Sequence, residues 1–366
     1  QYGYFLSRNI QAVYNLLSPY KDMKNLGFGN KNNAELSEEL YQFFPPRFKE
    51  FFEGMSETSG LTIEQLKVVN ALEIILMFGS TIYNGHCSAL SVWGDYSRGG
   101  KVIYGRNYDY NEDIFPLNDH IAVAVFHPDN GDIPFAMITW AGCIYASTAI
   151  NQRGIFVAEN DCSLHDTEAS GFYPTDDHFN MKTWVKDDVL LLSLITQAGT
   201  MAEADRWMKT NLPCYPHNIG VADKNEVRSY QWNISARLPH APYARQANGL
   251  MAQTNHYFAV PAGWGIGEYV EPGGAGSGIP GGSIHRLENL LERAEQFKGS
   301  IDLARMCCIM DLTIEQGGAT HDGTLYQIVC EPETFTLKLK TRGKPDRWVD
   351  IPLAKLLFPD AAAVSP

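Results

Sequence analysis

The spacing of apolar residues divides this sequence into a helical first part and a β-rich second part. Up to residue 86, apolar side chains recur at the spacing of amphipathic helices, through Leu36–Gly54 and again through Leu61–Gly79. Pro45-Pro46 falls inside the first pattern, where prolines interrupt a helix or mark its restart. Residues 1–86 are therefore predicted to form a mainly helical leader.

The most apolar window of the chain is Val68–Tyr83. It is shorter than the roughly 20 residues that a membrane-spanning helix needs, and it contains Asn70 and Glu73. We expect a buried helix here and no insertion into a membrane.

After Cys87 the pattern changes to short runs with alternating apolar and polar residues, separated by Gly, Asp, Asn and Pro. Such runs predict strands at Ser88–Trp93, Lys101–Tyr108, Ile121–Phe126, Phe135–Trp140, Ile155–Glu159, Val227–Trp232, Leu250–Thr254, Tyr326–Cys330 and Phe335–Lys340. Helical spacing returns at Lys182–Ala198, Met201–Thr210, Ser283–Phe297 and Ile301–Leu312. Because strands and helices come in separate groups and do not alternate one by one, the predicted fold class is layered α+β.

Charge narrows the class of partner. The chain has 29 Lys and Arg residues against 42 Asp and Glu, a formal net charge of −13. No stretch gathers the basic residues into a stripe, and an acidic surface repels nucleic acids and anionic membranes. The expected partner is a small molecule. The sequence does not decide whether the chain also forms a homo-oligomer. The chain opens with Gln1 and no initiator Met, from which we expect export to the periplasm or beyond the cell.

Metal and cofactor motifs are weak in this sequence. Its seven cysteines form no C-x-x-C pair, and its histidines show no H-E-x-x-H or comparable spacing. The loop Glu271–Gly282 contains a formal G-x-G-x-x-G, but Pro272 precedes it and Pro280 lies inside it, unlike a dinucleotide-binding turn. We therefore predict no metal and no cofactor, and we interpret the loop as a cover over a site.

Cys87 is the candidate nucleophile because it stands where the helical leader meets the β-rich body. A cysteine that begins a mature chain has its own α-amine beside the thiol, and with a pKa of roughly 8 that amine can act as a general base. A papain-like Cys–His set is disfavoured, because the C-G-[SA]-C-[WY] signature is missing and adjacent strand residues such as His86 and Cys87 point to opposite faces. A thiol hydrolase that uses His86 or His256 as its base remains an alternative.

The stretch from Cys87 to Asp109 resembles the start of mature choloylglycine hydrolases and of the acyl-coenzyme A:6-aminopenicillanate acyltransferase group. Both are N-terminal-nucleophile hydrolases, which begin with Cys and continue after a β-hairpin to a G-R-N-x-D box, here Gly105-Arg106-Asn107-Tyr108-Asp109. The resemblance implies that Arg106 and Asp109 lie against the nucleophile. An arginine near a thiol favours the thiolate, and a carboxylate can orient the α-ammonium group.

A later turn and strand, residues 150–160, also resembles this group, in which the strand ends in an asparagine that donates to the oxyanion. The resemblance assigns that role to Asn160, with Asp161 as the alternative if the alignment shifts by one residue. Thr254-Asn255-His256 is similar to a T-N-H motif whose asparagine contacts the amine and the oxyanion, which implies the same role for Asn255.

The last motif, Ser283-Ile284-His285-Arg286, resembles an S-x-x-R that opens a late helix. The resemblance assigns Arg286 as a brace of the site. Ser283 is also a good helix N-cap by its own chemistry, which gives it a second interpretation.

The resemblance as a whole implies a four-layer αββα sandwich over residues 87–366, preceded by a helical pro-segment at 1–86. It implies self-cleavage before Cys87, then cleavage of a linear amide bond of an N-acyl substrate through a thioester acyl-enzyme. An acyltransferase and a catalytically silent binding member of the same fold are the alternatives. We expect the leader to stay bound after cleavage, because isolated amphipathic helices of this length are marginal in water. The long leader and Ser88 depart from bile-salt hydrolases, so the substrate is left open among bile salts, N-acyl amino acids, N-acyl amines and β-lactams.

Overall fold

The computed structural model describes residues 2–23, 31–73, 75, 87–110, 112–161, 187–211, 217–232, 243–256, 281–343 and 347–359. Three predicted features lie wholly or mostly outside these ranges: the loop Glu271–Gly282, the second half of the helix Val68–Tyr83 and the peptide bond before Cys87.

The leader is helical, as predicted. Its helices are α1 (Tyr2–Phe5), α2 (Ser7–Leu17), α3 (Asn33–Phe43), α4 (Pro46–Ser59) and α5 (Ile63–Asn70), with a short 3₁₀ turn at Ser18–Tyr20.

Local sequence explains where these leader helices begin. Asn32 and Glu35 form a capping box at the start of α3, and Thr62 and Gln65 form another at the start of α5. Pro46 is the first residue of α4, where its missing N–H costs nothing, so the proline pair separates two helices.

The body contains a six-stranded antiparallel sheet, which we call sheet 1. Its spatial order is β10-β1-β2-β11-β12-β13. These strands are β1 (Ser88–Gly94), β2 (Gly100–Asp109), β10 (Leu250–Gln253), β11 (Thr324–Glu331), β12 (Thr336–Thr341) and β13 (Val349–Ile351).

The second sheet, sheet 2, has seven antiparallel strands in sequential order from β3 to β9. They are β3 (Ile121–Phe126), β4 (Phe135–Trp140), β5 (Thr148–Asn151), β6 (Phe156–Asp161), β7 (His217–Ala222), β8 (Val227–Trp232) and β9 (Tyr243–Gln246). A 3₁₀ segment at Glu112–His120 connects the two sheets between β2 and β3.

The two sheets pack face to face. The ring of Tyr104 on β2 lies 4.7 Å from that of Phe156 on β6, centroid to centroid. Gly220 on β7 allows this close approach, because a Cβ there would lie 2.2 Å from the Tyr104 hydroxyl oxygen. The inner faces therefore form one continuous apolar layer.

Helices cover both outer faces. Helices α8 (Ser283–Gln296) and α9 (Leu303–Asp311) bury Leu290 and Met306 against Leu90, Ile103 and Val329 on the outer face of sheet 1. Helices α6 (Asp187–Gln197) and α7 (Met201–Thr210) pack on sheet 2, and the short α10 (Leu353–Leu357) closes the chain's described end. The predicted α+β class and its αββα layer order are confirmed.

The leader packs against the body. Phe51 on α4 meets Phe126 on β3 with ring centroids 4.9 Å apart. The Asn70 side chain donates to the Gly142 carbonyl oxygen at 2.9 Å and accepts from the Ile144 N–H at 2.8 Å. Both contacts lie at the β3–β5 side of sheet 2.

Several sequence-based boundaries differ from the structure. Strands β5, β7, β9 and β13 were not predicted, and neither were helices α1, α2 and α10. Most of these elements are short, and β5 and β7 are buried on both faces, so they lose the alternation that reveals a strand. Helix α2 is as long as α3, and its length does not explain why it was missed. No helix in the described ranges has the length and apolar character required to cross a membrane.

Candidate active site

Cys87 lies immediately before β1. Its Sγ is 3.8 Å from Nη2 of Arg106 and 3.9 Å from the main-chain oxygen of Asp109. The residue is only 6% exposed. The thiol is therefore buried beside the last residues of β2 and next to a guanidinium group.

Arg106 is fixed by acceptors from sheet 2. Its Nη1 donates to the Ser147 carbonyl oxygen at 2.7 Å and to the Thr148 hydroxyl, and its Nη2 donates to the Glu159 carbonyl oxygen. The guanidinium carbon also lies 5.0 Å from the centroid of the Tyr108 ring. A fully buried arginine is thus satisfied mainly by main-chain oxygens of the opposite sheet.

The glycine that begins the G-R-N-x-D box has a packing role. A Cβ at Gly105 would lie 2.8 Å from Sδ of Met310 on α9. Successive residues of a strand point to opposite faces, so the outward-facing Gly105 lets α9 approach while Arg106 faces the thiol.

The Cys87 thiol is held neutral. Burial raises its pKa from 9.0 to about 12, and the charge of Arg106 opposes that rise without overcoming it. The expectation that an arginine beside the thiol favours the thiolate is met in direction only, because desolvation outweighs the single charge.

The Asp109 carboxylate occupies a different place from the thiol. It is fully buried, with Oδ2 3.9 Å from Nη1 of Arg286 and 3.4 Å from Nε2 of His321. The thiol meets the main-chain oxygen of Asp109, and the side chain faces α8 and the loop before β11. Sequence reasoning gave no role to His321.

Arg286 links three of the predicted site residues. Its Nη1 donates to the Cys87 carbonyl oxygen at 3.1 Å, and its Nη2 donates to Oδ1 of Asn255 at 2.8 Å. Together with the Asp109 contact, these bonds make the buried guanidinium group a common partner of the Cys87 main chain, the Asn255 amide and the Asp109 carboxylate.

Both predicted oxyanion donors lie beside β10. Asn255 donates through Nδ2 to the Asp161 carbonyl oxygen at 2.7 Å, and Asn160 donates through Nδ2 to the Gln253 carbonyl oxygen at 3.3 Å. Since Ala89 pairs with Gln253 across the β1–β10 ladder, Asn255 lies near the level of Cys87. Asn160 is linked to this region through β10, by its hydrogen bond to the Gln253 carbonyl oxygen.

Ser283 is the first residue of α8, and Gly282 holds the N-cap position. The helix-cap interpretation of Ser283 is therefore wrong. Its hydroxyl oxygen accepts the Asn255 N–H at 2.8 Å and lies 2.6 Å from Nδ1 of His256. This arrangement ties the Thr254–His256 segment to the start of the helix that carries Arg286.

The turn at Asn151 has a structural explanation. Oδ1 of Asn151 accepts the N–H groups of Arg153 and Ile155, and its Nδ2 donates to carbonyl oxygens of Ile195 and Ala198. Gly154 has a φ of 82°, which favours glycine. This motif shapes the turn before β6 and so places Asn160.

The histidine bases considered from sequence are positioned differently from a Cys–His pair. His256 is buried, with Nδ1 engaged by Ser283 and Thr254 hydroxyls. His86 lies outside the described residues.

One cluster in the described residues could hold a cation. Glu159, Asp161 and His217 bring their ligand atoms within 4.8 Å of one another. Nδ1 of His217 lies 2.8 Å from Glu159 Oε1 and 3.2 Å from Asp161 Oδ1. These distances suit an ion pair between imidazolium and carboxylates, which needs no metal, so we give the cluster no part in the chemistry.

Comparison with known proteins gives a fold-level result. No protein-family model and no curated protein matches the chain. Among solved structures, an N-acylethanolamine-hydrolyzing acid amidase ortholog from Caenorhabditis elegans shares 19% identity at a TM-score of 0.48, with 67% of this chain and 93% of that chain covered.

Two bacterial structures are also similar. A conjugated bile acid hydrolase variant from Clostridium perfringens shares 13% identity at a TM-score of 0.46, with 74% of this chain and 93% of that chain covered. A penicillin V acylase from Agrobacterium tumefaciens shares 12% identity at a TM-score of 0.44, with 72% of this chain and 86% of that chain covered. Their similarity is too low to assign a chemistry, which depends on the contacts around Cys87.

Proposed function

We propose that this protein is an N-terminal-nucleophile hydrolase that cuts itself before Cys87 and then hydrolyses a linear amide bond. The observation that carries the proposal is the enclosure of the Cys87 thiol by Arg106, with Arg286 on the Cys87 carbonyl oxygen. In this arrangement two buried arginines contact the cysteine that precedes the first strand, one at its thiol and one at its carbonyl oxygen, and neither is a general base at neutral pH. The α-amine of a newly formed N-terminus fills that gap.

Self-cleavage proceeds by an acyl shift from nitrogen to sulfur. The Cys87 sulfur attacks the carbonyl carbon of His86, the C–N bond breaks, and the nitrogen takes up a proton to become the α-amine. Water then hydrolyses the thioester, which releases the carboxylate of His86 and regenerates the thiol. The leader, residues 1–86, becomes one subunit and residues 87–366 the other.

Catalysis reuses the same sulfur. The α-amine accepts the thiol proton as the sulfur attacks the substrate carbonyl, and it returns that proton to the leaving nitrogen when the amide C–N bond breaks. Water hydrolyses the resulting thioester. A neutral, buried thiol suits this scheme because the proton is transferred only during attack, so a resting thiolate is not required.

The oxyanion of the tetrahedral intermediate needs N–H donors. Asn160 and Asn255 each have one described acceptor for Nδ2, which leaves a second amide hydrogen for the oxyanion. Asp161 suits the role less well, because an ionised carboxylate only accepts hydrogen bonds and would repel the developing charge. Arg286 would orient Asn255 and hold Cys87 in place.

The substrate class we propose is an N-acyl amide. This choice rests on the resemblance of the motifs and on the amide-cleaving enzymes among the similar structures. An amine in place of water would make the protein an acyltransferase. Product analysis with and without an added primary amine separates the two activities.

The test is the intact mass of the purified chain on a denaturing gel and by mass spectrometry. The parent protein should yield a fragment that begins at Cys87, and Cys87→Ala should remain full length because the attacking sulfur is gone. Cys308→Ala, at an exposed cysteine, is the matched control and should be cut normally.

Processing of Cys87→Ala in the absence of other proteases would contradict the scheme. An uncut parent with thiol-dependent activity would favour the histidine-based alternative, and an uncut, inactive parent would favour a silent binding member.

A further inference from the structure

The leader brings one carboxyl group to the tyrosine that lies against Arg106, the arginine beside the proposed nucleophile. Glu73, just after α5, accepts a hydrogen bond from the Tyr108 hydroxyl at 2.5 Å through Oε1. The Tyr110 hydroxyl donates to the Glu73 carbonyl oxygen at 3.2 Å. Both tyrosines lie at the end of β2, on the face that carries Arg106. The leader thus contacts this strand through both the main chain and the side chain of one residue.

Tyr108 in turn supports the arginine beside the thiol. Its ring lies under the Arg106 guanidinium group and stacks on the Tyr326 ring with centroids 4.7 Å apart and planes 6° from parallel. The Tyr326 hydroxyl lies 3.0 Å from the Thr148 hydroxyl, which accepts a bond from Arg106. The hydroxyl of Tyr108 is the part of this stack that depends on Glu73.

We propose that Glu73 is a positioning residue of the active site, contributed by the leader, which holds Tyr108 under Arg106 and thereby sets the charge that the Cys87 thiol experiences. The inference rests on the proposed function only in taking Cys87 as the nucleophile. It makes the leader part of the site's architecture, in addition to any role as a segment removed by cleavage.

The charges around Glu73 explain how its protonation can be read out. Among the described residues, several charged and titratable side chains face it: Arg106 and Tyr108 on β2, Tyr110 just after that strand, Tyr326 on β11, and Glu159 and Asp161 on β6. Burial first, and then the two β6 carboxylates, raise the Glu73 pKa from 4.5 to about 8, and the Tyr108 hydrogen bond and Arg106 act in the opposite direction.

Glu73 is therefore neutral at pH 7 and gains a negative charge above pH 8. That negative charge partly neutralises the Arg106 guanidinium group, which favours the Cys87 thiolate. Ionisation of Glu73 should therefore raise the pKa of Cys87.

The experiment measures the rate at which iodoacetamide alkylates Cys87 between pH 6 and pH 10, by mass spectrometry of the peptide that contains it. The exposed Cys308 in the same sample is the internal reference. With a buried thiol of high pKa, the logarithm of the rate should rise linearly with pH. In the parent protein we expect this line to bend downward near pH 8.

Three variants test the cause of the bend. Glu73→Gln keeps the acceptor for Tyr108 but cannot ionise, so the ratio of its rate to the parent's rate should be one below pH 8 and should rise above pH 8. The α-amine of Cys87 titrates in both proteins and cancels in this ratio. Tyr108→Phe removes the bond that lowers the Glu73 pKa, so the bend should move to higher pH. Glu57→Gln, at an exposed acid of α4, is the matched control and should bend as the parent does.

Turnover of an amide substrate gives a second readout. Glu73→Ala should lower kcat about two- to tenfold, the equivalent of one neutral hydrogen bond, with a smaller change in KM, and Glu73→Gln should restore it.

A ratio of the Glu73→Gln rate to the parent's rate that does not change between pH 6 and pH 10 overturns the inference. The alkylation assay needs no substrate, so a ratio that rises above pH 8 in a protein without amidase activity would sustain the inference and remove the proposed function. If the parent protein hydrolyses an amide through Cys87 but this ratio does not change with pH, the proposed function stands and the inference about Glu73 is wrong.

Discussion

Burial and charge act in opposite directions on single residues of the site. The Cys87 thiol is desolvated more strongly than Arg106 can compensate, so it stays protonated, and the Glu73 carboxyl is desolvated into its neutral form. Burial lowers the pKa of Arg286, and the nearby Asp109 carboxylate opposes that change. The hydrogen bonds to the Cys87 carbonyl oxygen and to Asn255 give its guanidinium group buried acceptors.

Asn255→Ala should reduce kcat for a good amide substrate by roughly 10²–10³ without unfolding the protein, because one preorganised oxyanion donor is lost. Steady-state kinetics beside the exposed control Asn130→Ala measures this. Unaltered turnover would remove Asn255 from the mechanism. The same loss is expected for Asn160→Ala, and full activity there would direct attention to Asp161.

At the scale of elements, α5 and the loop between β4 and β5 act as one unit. The Asn70 side chain holds Gly142 and Ile144 of that loop, and the Cys143 thiol donates to the Val69 carbonyl oxygen at 3.2 Å. The loop continues directly to Ser147 and Thr148, which hold Arg106. The leader is thereby connected to the arginine through main chain and hydrogen bonds alone.

Asn70→Ala should destabilise the protein by about 1–3 kcal/mol, because a buried carbonyl oxygen and a buried N–H lose their partners. Urea unfolding monitored by tryptophan fluorescence gives the value. Asn15→Ala, on the exposed face of α2, should change stability little. Equal midpoints for the two variants would show that the loop finds other partners.

At the scale of the whole molecule, the leader and the body share one apolar core. Buried leader residues such as Ile10, Phe52 and Leu66 belong to the same cluster as Ile138 and Ile144 of sheet 2 and its loops. The leader carries 7 basic and 9 acidic residues, so a net charge near zero contributes little attraction to the acidic body. Apolar burial, the Asn70 and Glu73 hydrogen bonds and one ion pair between Arg47 and Asp132 hold the two together.

We predict that the leader stays bound after cleavage. Size-exclusion chromatography of the cut protein should show both fragments in one peak until denaturant is added, because separation would expose this shared core to water. A leader fragment that elutes on its own under native conditions would contradict the prediction.

Stability should also depend on pH through Glu73. Its pKa is raised from 4.5 to about 8 in the folded protein, so between these values the folded state binds a proton that the unfolded state has lost. Stability should therefore fall as pH rises from about 4.5 to about 8 and then level off. The difference in urea midpoint between the parent and Glu73→Gln, measured from pH 5 to pH 9, isolates this contribution. A difference that does not vary with pH would refute it.

Much of the element pattern could be predicted from local sequence. β3, β4, β8 and α7 begin and end at the predicted residues, because each has a clear periodicity and flanking turn residues. The shorter strands β5, β9 and β13 have too few residues for a pattern to emerge. Tyr326, Thr148 and His321 could not be assigned to the site, because none is close in sequence to the residues they contact. Glu73 did leave a signal, since it interrupts the most apolar window of the chain.

The sequence by itself determined the layered α+β class, the helical leader and the choice of Cys87, since periodicity, turn residues and motif order are local properties. Only the tertiary structure decided how charge is distributed at the site. It placed the Asp109 side chain on Arg286 and His321, left the thiol neutral and brought Glu73 of the leader to Tyr108. These outcomes depend on desolvation and on contacts between residues far apart in the chain, which act through distance and burial and have no periodicity along a sequence.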